Sequence, residues 1–273
     1  MGDIGDVTAG FAPVDGLELY YETRGAGRPL VLIHGALMTI GLMKDYPARL
    51  AAGQQVIAVE LQAHGHTADI DRPLRFELLA DDIVGLLDHL GLPEADLSGY
   101  SIGAGVALQV AIRHPARVGR LVAASVTYRT DGLHPEITAG GDRGDVDLLQ
   151  DSPYHQAYEA VAPDPRRWPA LVAKIFDLDA QPQEWPAEQV AAITAPTMLI
   201  VADNDIVRLE HAVEMIHLLG GGIVGDLHGV PESRLAVIPG TSHTGLCDRA
   251  AWVVPMIEEF LGDGNPAWPS GSR

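Results

Sequence analysis

The chain has 273 residues, 47% of them hydrophobic and 20% charged, with a formal net charge of -19 and a single cysteine. A chain of this size and apolar content can bury one sizeable core without disulfide or metal staples, and one cysteine excludes an internal disulfide. The acidic excess, with no run of Lys or Arg, argues against nucleic acid and anionic membrane surfaces as partners.

The 30 glycines and 19 prolines are spread between apolar segments, which is the distribution of many turns rather than of a low-complexity tract. No apolar run approaches the roughly 18 residues of a membrane span. The start Met1-Gly-Asp-Ile-Gly-Asp6 lacks the basic residues and apolar stretch of a secretion signal, so the expectation is a cytoplasmic protein.

Taken in order, Leu17 to Glu22 follows an Asp15-Gly16 turn and reads as an early antiparallel strand. Leu30 to Ile33 and Val56 to Glu60 are short β-rich runs suited to buried central strands. Phe76 to Leu90 places Leu79, Ile83, Leu86, Leu87 and Leu90 at helical spacing and stops at Gly91. Asp96 to Gly99 is the next strand, and Gly103 to His114 is small and apolar enough to pack as a buried helix ended by Pro115. Leu121 to Val126 returns to strand.

From Asp131 to Pro186 the strand-helix rhythm breaks, and prolines, acids and aromatics become prominent, which suggests an inserted helical cap. The rhythm resumes with Thr197 to Ala202 (strand), Glu210 to Leu219 (helix), Leu235 to Ile238 (strand) and Ala251 to Leu261 (helix). The Gly-rich stretch Gly220 to Gly229 reads as a surface loop, and both chain ends look frayed. The alternation predicts an α/β fold around a mostly parallel sheet. The expected division is a core of residues 1–130 and 187–262, a cap of 131–186 and a disordered tail of 263–273.

Gly99-Tyr100-Ser101-Ile102-Gly103 matches G-x-S-x-G. By chance alone, roughly one chain in ten of this composition would carry such a match, so the setting matters more than the pattern. Ser101 lies between a strand and a buried helix, where a sharp turn lifts its hydroxyl to the carboxyl edge of the sheet. A Ser hydroxyl needs a base to take its proton, and the base needs a fixed tautomer. His243 follows the last strand in Pro239-Gly-Thr-Ser-His243 and fits the base, and Asp203 and Asp205 follow the strand before it. Asp205 is the preferred partner because the loop must leave the strand edge before it can face His243; Asp203 is read as turn-forming.

A developing oxyanion needs backbone N–H donors. Ile102 supplies one directly after the nucleophile, and Ala36 in the loop after Leu30 to Ile33 supplies the other, with Leu37 as fallback. His89, His114, His211 and His217 sit on predicted helices and read as surface residues. His64 and His66 lie nearer the site, but no third ligand stands at a recognisable spacing, so no metal is expected. Cys247 reads as a packed residue.

Leu32-Ile-His-Gly-Ala36, Glu60-Leu-Gln-Ala-His-Gly-His-Thr67, Gly99 to Gly103, Asp203-Asn-Asp205 and Gly240-Thr-Ser-His243 together resemble the ordered motif set of capped α/β-hydrolases of the serine esterase type. The resemblance implies an eight-stranded, mostly parallel sheet flanked by helices, a Ser101-His243-Asp205 triad and a mechanism without a cofactor. Glu60 and Ala63 stand where that family usually has Asp and Gly. Ser101 stands where dehalogenases and soluble epoxide hydrolases carry Asp. Thr244 replaces the Trp that ring-cleavage C–C hydrolases usually carry, and Ser242-His243-Thr244 replaces the Pro-His-Gly frequent in cofactor-free haloperoxidases and perhydrolases.

The implied reaction is hydrolysis of a carboxylic ester, lactone or thioester through an acyl-Ser101 intermediate. C–C hydrolysis of a diketone, haloperoxidase or perhydrolase chemistry, and slow-turnover ligand sensing on the same fold are the alternatives. Candidate pocket residues are Leu37, Tyr100, Tyr128, Tyr154, Trp168, Phe176, Trp185, Ile206 and Thr244. Aromatic lining with few polar groups favours a small neutral ester over substrates bearing carboxylate or phosphate. A small-molecule substrate is the expected partner, and a homodimer stays open.

Overall fold

The structure is a computed structural model that describes residues 7–138 and 149–262. Eight strands form one sheet: β1 Thr8–Val14, β2 Leu17–Arg24, β3 Pro29–Ile33, β4 Gln55–Val59, β5 Ala95–Tyr100, β6 Val118–Ala124, β7 Thr197–Asn204 and β8 Arg234–Ser242. Their spatial order is β1-β2-β4-β3-β5-β6-β7-β8, antiparallel from β1 to β4 and parallel from there on. The hairpin between β1 and β2 closes in two residues, Asp15 and Gly16, both at positive φ, which matches the right-handed twist of the strands it joins.

Ten helices accompany the sheet in the described residues: α1 Tyr46–Leu50, α2 Phe76–His89, α3 Ile102–Arg113, α4 Pro135–Thr138, α5 Pro153–Val161, α6 Trp168–Ala180, α7 Ala187–Ala191, α8 Leu209–Leu218, α9 Gly225–His228 and α10 Ala250–Leu261. The central strands are buried on both faces, which is why β3 and β4 read as unbroken apolar runs rather than alternating ones. Their side chains separate two hydrophobic layers. One packs with α2, α3 and the buried residues Leu171, Val172 and Ile175 of α6; the other packs with α1 and α10.

Several expectations need correcting. The chain start is not frayed as far as Thr8: β1 pairs with β2 along its whole length, with Ala12 and Val14 buried and Phe11 exposed. The strand expected over Leu121 to Val126 stops at Ala124, because Ser125 turns to φ +59°. The Gly220 to Gly229 stretch lies at the surface as expected, exposing Ile223, Val224 and Leu227, but it contains the short helix α9. The tail expected to be disordered, 263–273, lies outside the described residues.

Helices α4 to α7 lie in the connection between β6 and β7. Polar contacts fasten α6 to the loop after β4. Lys174 Nζ donates to Asp69 Oδ1 at 2.5 Å and to the carbonyls of Ile70 and Arg72, both at 2.8 Å, and Arg167 reaches Asp69 at 2.8 Å. Among the described residues, no helix is long and apolar enough to cross a membrane.

Candidate active site

Ser101 sits at the junction of β5 and α3 with φ +56° and ψ -120°, a strained conformation for a residue with a side chain. The backbone around it is too tight for more. A Cβ on Gly99 would lie 2.2 Å from the Gly103 carbonyl oxygen, and one on Gly103 would lie 2.4 Å from that of Ile33. The glycines of the motif therefore let β3, β5 and α3 close around the turn, and the Ser101 N–H is tied to the Ala124 carbonyl at 2.9 Å.

His243 follows β8, and its Nε2 lies 3.1 Å from Ser101 Oγ, while its Nδ1 lies 2.9 Å from Asp205 Oδ1. A carboxylate only accepts, so the proton belongs on Nδ1 and Nε2 is left to accept from the Ser hydroxyl. Asp205 has its side chain sealed from solvent, 0% exposed. Burial alone would raise its pKa, but the contact with His243, the Ser125 hydroxyl and the Ala202 N–H outweigh it and hold the carboxyl below the usual range. The Val207 N–H adds a bond to Oδ1 at 3.3 Å.

Asp203, by contrast, is exposed and points to the neighbouring strand, where it accepts the N–H groups of Gly240 at 2.9 Å and Thr241 at 3.0 Å. It shapes the turn leading to His243. Tyr100 takes part in the same positioning: its hydroxyl donates to the His243 carbonyl at 2.9 Å, and its ring lines an apolar cavity with Met38, Leu246 and Cys247.

The donors available to an oxyanion differ in their freedom. Ile102 opens α3, where the first N–H groups have no acceptor within the helix. Ala36 is half-buried in the turn after β3. The fallback, Leu37, is committed elsewhere: its N–H donates to His64 Nε2 at 3.1 Å. His64 and His34 act as buried acceptors, since His34 Nε2 takes the Leu61 N–H at 3.1 Å. Burial pushes His34 down to about 3 and His64 to about 4, so both are neutral imidazoles. Glu60 is buried and accepts the N–H groups of Ile40 at 3.0 Å and His66 at 2.6 Å, while Ala63 takes φ +67° without being a glycine.

The candidate pocket residues do not form one set. Tyr128 is buried, donates to Glu214 Oε1 at 2.6 Å and stacks on His211. Trp168 is 1% exposed and packs on His155 and Tyr158, inside the helical connection. Both serve packing. Leu37, Tyr154, Phe176, Trp185 and Ile206 are half-buried, with the Trp185 ring edge-on to Phe76, and Thr244 is exposed directly after His243. His211 corrects a reading as a surface residue: it is 3% exposed and accepts the Tyr128 N–H at 3.2 Å.

Sequence reasoning missed Ser125. Its hydroxyl donates to Asp205 Oδ2 and lies 2.9 Å from His243 Nδ1. A serine at the end of an apolar strand run gives no signal of this kind.

A family model described as the alpha/beta hydrolase fold matches residues 28–139. The chain is 36% identical over 126 residues to a 2-hydroxymuconate semialdehyde hydrolase of Pseudomonas sp. (strain CF600), covering 43% of this chain and 44% of that one. The aligned stretch thus spans less than half of that relative's length. A putative carbamate hydrolase, RutD, of Azorhizobium caulinodans is 26% identical over 248 residues, covering 83% and 88%. Among solved structures, the enol-lactonase from Burkholderia xenovorans LB400 superposes with a TM-score of 0.68 at 20% identity, over 93% of this chain and 100% of that one.

Proposed function

We propose, from the premise that this chain is an α/β-hydrolase in fold, that it hydrolyses a carboxylic ester, or a related lactone or thioester, with Ser101 as nucleophile. The observation that carries the reading is the continuous relay from Ser101 Oγ through His243 to the buried Asp205, with contacts of 3.1 and 2.9 Å. Ser101 Oγ attacks the acyl carbon as its proton passes to His243 Nε2. Asp205 stabilises the imidazolium, and the N–H groups of Ile102 and Ala36 receive the oxyanion. His243 then protonates the leaving alcohol, and a water that gives its proton to His243 releases the acid from Ser101.

Two further observations favour a neutral substrate. Arg166 and Arg167, the adjacent cations of the connection between β6 and β7, are each engaged, the first with Asp164 and the second with Asp69. The Arg166 side chain is 90% exposed, on the solvated face, and Arg167 reaches the buried Asp69 in the loop after β4. The net charge of -19 adds repulsion of anions at low salt.

The test is kcat/KM on a short-chain aryl ester, a carboxylate-bearing ring-fission diketone and an acyl-coenzyme A, with Ser101→Ala as control. The aryl ester should lead, and Ser101→Ala should abolish its turnover. A diketone or coenzyme A ester that wins by more than about tenfold, about 1.4 kcal/mol of transition-state discrimination, overturns the neutral-ester reading.

A further inference from the structure

Ser125 closes a ring of hydrogen bonds on the side of His243 away from the nucleophile. It is the residue after β6, 4% exposed, and it adopts φ +59°, a region that residues with side chains rarely enter. Its N–H donates to the Ile200 carbonyl of β7 at 2.7 Å, which hangs the turn on the neighbouring strand and places the hydroxyl between Asp205 and His243.

The hydroxyl has one proton, and its partners decide where that proton goes. Asp205 Oδ2 only accepts, so the O–H of Ser125 donates there. The Oγ lone pairs then face His243 Nδ1 at 2.9 Å, the same distance that separates Nδ1 from Asp205 Oδ1. The Nδ1–H thus has two acceptors, and the tautomer that leaves Nε2 free for Ser101 is favoured twice. The carboxylate is held as well, since Oδ2 takes the Ser125 hydroxyl and the Ala202 N–H at 3.0 Å while Oδ1 faces the imidazole. Rotation of the carboxylate would break all of these bonds together.

We propose that Ser125 is a positioning residue of this site, fixing the orientation of Asp205 and the Nδ1–H tautomer of His243. The inference rests on the hydrolytic reading of Ser101 given above. A residue that merely fills space at the end of β6 would affect stability and leave the reactivity of Ser101 alone.

The experiment measures fluorophosphonate labelling of Ser101, which reports nucleophile activation whatever bond the natural substrate offers. Ser125→Gly is the main variant because glycine takes φ +59° without strain, so the fold keeps its turn and loses the hydroxymethyl group; Ser125→Ala, which removes only the hydroxyl, accompanies it. The maximal labelling rate should fall about tenfold or more in both, with the half-saturating probe concentration unchanged and the melting temperature of Ser125→Gly not lowered. In an Asp205→Asn background the same substitution should cost less than in the wild type, because the carboxylate that Ser125 orients is gone and only its contact with His243 Nδ1 remains. Wild-type labelling rates in Ser125→Gly, or an equal loss in both backgrounds, would overturn the inference while leaving Ser101 as nucleophile. A wild-type protein that does not label at Ser101 would overturn the hydrolytic reading, and this inference with it.

Discussion

The carboxylate of Asp203 is bound to the backbone N–H of Gly240 at 2.9 Å, across the carboxyl ends of β7 and β8. Two acids in one short segment thus divide the work. Asp203 pins the strand end that carries His243, and Asp205 contacts the imidazole itself.

The first prediction follows from that division. Asp205→Asn should lower kcat by about 10²- to 10⁴-fold, through a tautomer that presents the wrong nitrogen to Ser101. Asp203→Asn should leave kcat within about tenfold and show its effect as a lower unfolding midpoint. Steady-state kinetics and thermal melts of the two variants decide it, and the reverse ranking would assign the acid to Asp203.

A second prediction concerns Gly103. Replacing a helical glycine by alanine ordinarily stabilises by about 0.5–1 kcal/mol. Here the added Cβ meets the Ile33 carbonyl oxygen at 2.4 Å and that of His34 at 2.5 Å, both backbone atoms of a central strand and the turn after it. Gly103→Ala should therefore destabilise the protein by roughly 2 kcal/mol or more, read from urea denaturation. A neutral or stabilising result would show that β3 can yield.

The third prediction is a pH dependence of stability. His34, His64 and His211 are held at about 3, about 4 and about 4 by burial, below the ordinary 6.5. Between those values and 6.5 the unfolded chain binds protons that the folded chain refuses, so their contribution is complete above 6.5 and is lost as pH falls. Each fully discriminating histidine adds about 1.4 kcal/mol per pH unit to the slope. Denaturant melts from pH 7 to pH 4.5 should show the steep fall, and His211→Asn should flatten it; equal slopes in the two proteins would contradict the prediction.

A fourth prediction addresses the fastening of α6. Lys174 supplies three hydrogen bonds to Asp69, Ile70 and Arg72, and Asp69 is 4% exposed. Lys174→Met should speed amide exchange in α6 by about tenfold or more, with the strands of the sheet little affected. Unchanged exchange would mean that the apolar face formed by Leu171, Val172 and Ile175 holds the helix alone.

The features legible from the sequence are those set by local pattern and chain order. Ser101 is marked by flanking glycines between a strand and a helix, and Asp205 and His243 by their places after the last two strands. What stayed hidden depends on contacts far apart in sequence. Ser125 reads as strand until the Ile200 carbonyl takes its N–H and turns it to positive φ. The tie between Lys174 and Asp69 joins segments 105 residues apart. Strand β1 is half-exposed, and its pairing with β2 decides its conformation more than its composition does. His211 did carry a signal: it shares a helical face with Met215, four residues on, and that face is buried.

The bond from the Tyr100 hydroxyl to the His243 carbonyl joins the residue before Ser101 to the backbone of His243. A displacement of the turn that carries Ser101 is therefore transmitted to His243, and the two residues shift together rather than apart. The other bonds that set the pair, from Ser101 to Ala124 and from His243 to Asp205 and Ser125, come from the ends of β5 to β8 and the turns after them. The contact between Ser101 and His243 is thus referenced to the sheet rather than to the helices between β6 and β7. On the proposed hydrolytic reading, substitutions at half-buried positions such as Tyr154, Phe176 and Trp185 should alter substrate range while the 3.1 Å contact between Ser101 and His243 is kept.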